Sequence, residues 1–212
     1  MADARSNPSL DDLLARAEDL ALFSMRARGS VAPTLLAVGA GGPICFIPSS
    51  LKDERTKDQF AHIARLVCVA HAAKVAVLMI EAWMETASPE GTLDLSVLPL
   101  QSLHRREVVV LTGESHTGCR QKFLPIIRTG AGKFFGFGEF TTPPETTFSG
   151  RFSQILPPKV PSAAEQAKAA ALLAVLGVTA EGLRRDWSAN GRNAGTQRDR
   201  PKQHGPGAKA PS

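Results

Sequence analysis

Residues 74–85 read KVAVLMIEAWME, an apolar run that begins on a lysine and ends on a glutamate. With a period of two, Val75, Val77, Met79, Glu81 and Trp83 share one face, and Ala76, Leu78, Ile80, Ala82 and Met84 share the other. Both faces are apolar, which predicts an inner strand covered on both sides. Glu81 is then a carboxylate between Met79 and Trp83, and burying it is costly unless it is paired or neutral.

Upstream of this strand, the stretch from about Ser50 to Ala73 has the pattern of a long helix. Phe60, Ile63, Ala64, Val67 and Ala70 form one stripe, and Ser50 with Asp53 reads as a capping box. Its last turns, Leu66 to Ala70, are apolar all round and require deep burial. Before it, Thr34–Val38 and Ile44–Ile47 are two short strands joined by Gly39-Ala-Gly-Gly-Pro43, a hairpin turn. A phosphate-cradling loop would pass instead into a helix and carry a lysine and hydroxyl after the glycines, which this one lacks. Ser9 to Arg28 places Leu10, Leu13, Leu14, Ala17, Leu20, Ala21 and Ser24 at helical spacing, with Ser9 as N-cap and a stop near Gly29.

Downstream, Thr86 to His104 is a long connection, a lid or a mobile insertion. Arg105–Thr112, Cys119–Arg128 and Lys133–Phe140 then read as three sequential antiparallel strands. Pro125 places the middle one at an edge or bulge, and Phe135 with Phe137 is expected to fill one face of the last. The expectation is an α+β (two-layer α/β) domain with a mostly antiparallel sheet of about five to six strands, in the order α-β-β-α-β-β-β-β. The core domain spans 1–145, a proline-rich linker 146–161 and a helical hairpin 162–187, before a basic disordered tail over 188–212. Ser162-Ala-Ala-Glu165 caps the first helix of that hairpin, and Thr179 the second.

The formal net charge of +5 is confined to the C-terminus. Residues 184–212 hold seven of the 25 basic and two of the 20 acidic side chains, which leaves eighteen of each in the body. Cys45, Cys68 and Cys119 are odd in number and widely spaced, so neither a disulfide framework nor a zinc knuckle is expected. His62 and His71 lie on opposite faces of their helix and cannot share an ion. No metal or cofactor is expected. With no apolar run near the roughly 20 residues of a membrane span, a cytoplasmic, reducing location is the default. The lack of Tyr and the abundance of Ala, Arg, Gly and Pro suggest a bacterial or phage origin.

The block from Leu35 to Phe140, above all Glu81-Ala-Trp83 followed by Arg105-Arg106-Glu107-Val108-Val109, resembles a group of uncharacterised bacterial and phage hypothetical proteins. That resemblance implies no residue roles. The order of elements is also similar at the fold level to the roadblock/profilin-like class, which implies regulatory binding and dimerisation. Leu176-Gly-Val-Thr-Ala-Glu-Gly-Leu-Arg-Arg185 resembles the turn and recognition helix of helix-turn-helix proteins, though Leu173 and Gly182 depart from that pattern.

Glu81, Arg105, Arg106 and Glu107 are the polar residues gathered at strand ends. They could form an acid/base carboxylate with an anion clamp, or a structural ion pair, the commoner outcome. His116 and Cys119 flank a hairpin tip, where a nucleophile would lack an orienting partner. The favoured function is a non-enzymatic regulatory or interaction module that binds a protein partner or self-associates. One alternative is DNA or RNA association through Arg184, Arg185, Arg192, Arg198, Arg200 and Lys202. The other is an enzyme centred on Glu81 and Arg106.

Overall fold

The structure, a computed structural model, describes residues 8–48, 51–85, 105–139, 150–179 and 183. The connection after Glu85, the cap residue Ser50 and the basic residues from Arg184 onward lie outside them, as does the second C-terminal helix apart from Leu183. Three helices, α1 (Leu10–Arg28), α2 (Glu54–Ala70) and α3 (Ala163–Val175), accompany six strands. These are β1 (Thr34–Gly39), β2 (Gly42–Phe46), β3 (Val75–Glu85), β4 (Arg105–Ser115), β5 (Gly118–Arg128) and β6 (Phe134–Phe137). They form one antiparallel sheet in the order β2-β1-β3-β4-β5-β6, so the α+β class and the meander of the last three strands are as expected.

The strand that opens the sequence reading lies inside the sheet, between β1 and β4, and its alternation sorts the core. Val75, Val77 and Met79 join Val109, Leu111 and Leu124 under α1. Ala76 and Leu78 join Leu35, Ala37 and the α2 residues Phe60, Ile63, Ala64 and Val67 on the opposite face. A helical layer therefore covers each side, which extends the expected two layers to three. Gly113 makes the α1 side possible: a Cβ there would stand 2.9 Å from Leu10 Cδ1 and 3.1 Å from Leu14 Cδ2. This explains why β4 runs through Gly113 and Glu114 to Ser115, beyond the Thr112 at which the sequence reading ended it.

Helix α1 starts at the expected cap, with a capping box between Ser9 and Asp12, and stops at Gly29 in the left-handed conformation (φ 73°). Helix α2 instead takes Asp53 as its N-cap, paired with Thr56. The reciprocal pair sits one turn later than the sequence reading placed it, because Asp53 and Thr56 also satisfy the first free N–H groups. At the apolar end of α2, Val67 and Cys68 are buried while Leu66, Val69 and Ala70 are only partly so, and α3 packs against the same helix.

In β6 a bulge breaks the expected alternation. Ile127 faces Gly136 while Arg128 faces Phe134, so Phe135 is the extra residue and points out, 77% exposed. Phe134, not Phe135, joins Phe137 against α1, the two rings meeting edge to face at 5.1 Å. Pro125 ends the β4 ladder two residues before that bulge, in line with its missing N–H.

Within the stretch read as a linker, residues 151–156 pack along α2. Ile155 and Leu156 are buried in the α2-side core together with Leu173 and Leu183. The Arg65 guanidinium holds three carbonyls there, those of Arg151 (2.7 Å), Ser153 (2.9 Å) and Gln154 (3.2 Å). Arg151 in turn bridges Glu54 and Asp58. No helix among the described residues is long and apolar enough to cross a membrane.

Candidate functional site

The polar residues gather where β3 outruns β1. The β1 ladder ends at Thr34 opposite Met79, and Pro33, which lacks an N–H, precedes it. From Ile80 to Glu85, β3 is paired only with β4 among the described residues, so these two strands project as a ribbon. Glu81 lies near the base of that ribbon. The left-handed Gly29 turns the chain out of α1 so that the Val31 N–H donates to Glu81 Oε1 at 2.5 Å. Burial pushes the Glu81 carboxyl above the ordinary carboxylate range; the Val31 N–H opposes this, the Glu107 charge adds to it and Arg128 counters it.

The cation facing this carboxylate comes from β5, not from the start of β4. Arg128 donates through Nε and Nη2 to both oxygens of Glu107, each at 2.7 Å, and its Nη atoms reach the Gly29 carbonyl at 3.2 Å. It also reaches the Gly132 carbonyl at 3.4 Å. This bidentate pair is three-quarters buried and raises the already high Arg128 pKa. Arg105 lies over the Trp83 ring, 4.9 Å from its centre. Arg106 stands opposite Met84, on the α2 side of the sheet, while Glu81 stands opposite Val109 on the α1 side. Glu81 and Arg106 therefore cannot close on one substrate from a single face. Of the four candidates, Glu81 and Glu107 are brought together, Arg105 stacks on Trp83, and Arg106 is turned away.

A cleft of about 440 Å³ opens at the same place. Val31 and Pro33 form one wall, Leu51, Lys52, Lys57 and Phe152 another, and Ile80 and Glu81 the floor. Consecutive strand residues point to opposite faces. A cleft lined by both Ile80 and Glu81 thus wraps the edge of β3 and does not lie on either face.

A second recess, about 270 Å³, lies between the α1 N-terminus and the β4–β5 turn and holds the exposed Asp11–Arg120 ion pair. Burial and the charge of Glu114 push the Cys119 thiol up, away from the thiolate form. The deeper Cys68 thiol is pushed up further by the same two causes. His62 is exposed on α2, and His71 is the residue that caps its C-terminus. Among the described residues no three His, Cys, Asp or Glu side chains are grouped to hold a metal ion.

The sequence reading missed Arg128, Arg65 and Glu114. Arg128 carried a usable signal, since it closes a strand whose alternate residues Leu124 and Ile126 are apolar and so shares their α1-facing side. Arg65 and Glu114 act on segments far away in sequence and carried none. No protein family matches the chain, and neither do curated proteins or solved structures.

Proposed function

We propose that this protein is a non-enzymatic interaction module that binds a protein partner or a second copy of itself. The supporting observation is the β3–β4 ribbon, which carries a strand edge left unpaired among the described residues and an aromatic residue, Trp83, that is 43% exposed. Edges of this kind serve as pairing templates unless blunted. Around Glu81, the cation that a reaction would need is already saturated by Glu107 and two carbonyls, and such a pair serves structure. The reading predicts a mass in solution that rises with concentration, or a stable complex with a partner, measured by light scattering on the full chain. A strictly monomeric protein that turns over a substrate in a Glu81-dependent way would defeat it.

The concentration of positive charge in residues 184–212 favours a second reading, nucleic-acid association through the tail. Because residues 150–179 pack on α2, truncation at Pro161 would strip the core and confuse the result. Neutralising Arg192, Arg198, Arg200 and Lys202 to Gln changes none of the described residues. Under this reading the exchange weakens duplex and single-stranded DNA binding and flattens its salt dependence; unchanged binding removes the reading.

A further inference from the structure

The geometry points to one mode of engagement for the interaction module proposed above: we propose that the Ile80–Glu85 edge of β3 takes an extended peptide segment from a partner protein. That segment would continue the lane that β1 vacates at Pro33 and carry an acidic side chain toward Lys52. The inference rests on the interaction-module reading and names its site and its occupant.

Three observations converge. In an antiparallel strand, alternate residues turn their N–H and C=O groups to opposite sides. Half of the backbone groups from Ile80 to Glu85 thus address β4, and the rest face a lane that no described strand fills. Only an extended chain presents donors and acceptors at the matching spacing of about 3.3 Å per residue. Next, the cleft wraps this same edge, with apolar Leu51, Ile80 and Phe152 on the α2 side, so a peptide side chain pointing that way has an apolar seat. Finally, two cations on that side have no counter-charge paired with them among the described residues. Lys52 at the cleft rim and Arg106 beside Met84 are exposed, and neither has an ion-pair partner among the described residues. Lys57, also at the rim, is neutralised by Glu54. An apolar residue and an Asp or Glu two positions apart share one face of an extended chain and match this side of the lane.

A second copy fits poorly. A two-fold pairing of this edge with itself would set Lys52 and Arg106 against the same two cations, and like charges repel.

The test uses the full chain as bait for a phage-displayed library of random short peptides, followed by synthetic versions of the recovered sequences. The proposal expects binders with an acidic residue two positions from an apolar one. A single N-methyl amide should abolish binding at every second position and be tolerated between. Lys52→Glu, at an exposed position that leaves folding intact, should weaken these binders about tenfold, and Lys122→Glu on β5 should not. Binders whose N-methyl sensitivity lacks period two, or which ignore Lys52→Glu, overturn strand addition at this edge and leave the interaction-module reading standing. Absence of any binder, with a mass independent of concentration, overturns both.

Discussion

Two glutamates on neighbouring strands perform the same local chemistry with opposite results. Glu81 on β3 and Glu114 on β4 lie at opposite ends of the central strand pair and on opposite faces, opposite Val109 and Ala76 respectively. Each accepts a backbone N–H from a segment crossing the sheet's rim, Val31 at 2.5 Å and Leu156 at 2.9 Å. Around Glu114 the crossing segment is sealed: the side chain is 8% exposed, and Ile155 and Leu156 join the core beside it. Around Glu81 the crossing segment stops at Pro33, β3 runs on paired with β4 alone among the described residues, and a cleft remains. A carboxylate that captures a passing amide thus closes one end of the sheet, because an apolar strap follows the amide there. Among the described residues the other end stays open, because the chain turns away into β1.

The comparison is broken most severely at the closed end. Glu114→Ala leaves the Leu156 N–H buried without an acceptor and should cost about 3 kcal/mol. Glu114→Gln keeps an acceptor oxygen and should cost well under half of that. Urea unfolding measures both, and hydrogen exchange should show amides 150–156 losing protection in the alanine variant alone. Equal losses for Ala and Gln would mean that the bond to Leu156 is not what holds the strap.

At the open end the corresponding break is Arg128→Met. It strands Glu107 next to Glu81 in a three-quarters buried site, with an expected loss of about 2 kcal/mol at neutral pH, reduced for the residual solvent access. The loss should shrink toward acid pH, since protonating Glu81, whose pKa is raised, removes the repulsion. The exposed Asp11–Arg120 pair sharpens the contrast. Arg120→Ala should move stability by no more than about 0.5 kcal/mol and leave its pH dependence alone.

The same contrast marks what could be read from residues alone. The inner strand at 75–80, its two apolar faces, α1 with its caps and the meander all follow from periodicity and local capping chemistry, and the structure contains them. Glu81 was singled out correctly as a carboxylate in apolar company, because that conflict is local. Strand neighbourhood points to Arg105 or Arg106, at the start of the next long strand, as its partner. The pleat then put Arg106 on the other face and Arg105 over Trp83. The strap over α2 was not visible in this way: Pro157, Pro158 and Pro161 look like a linker. The fact that residues 150–156 are held by Arg65 and Glu114 depends on side chains 42 to 89 positions away. The register shift at Ile127/Arg128 was equally hidden, and it exchanged Phe134 for Phe135 in the core.

The smallest expected effect is also the most diagnostic of the open end, and it concerns Glu81 itself. Its folded-state pKa is raised above the ordinary 4.5, so the folded protein holds this proton more tightly than the unfolded chain does. Between 4.5 and the raised value the folded state carries more protons, and stability falls as pH increases. Glu81→Gln cannot titrate, yet its side-chain oxygen still accepts from the Val31 N–H. The variant should therefore match the parent at low pH and overtake it as pH rises through that window, a crossing visible in urea midpoints taken from pH 4 to 8. Because the side chain is only half-buried, the direction of the change carries the test more than its size. Parallel pH profiles for parent and variant would show that the open end carries no carboxylate strain. A peptide strand laid along Ile80–Glu85 should steepen the parent's profile by removing water from Glu81, and should leave the Gln variant flat.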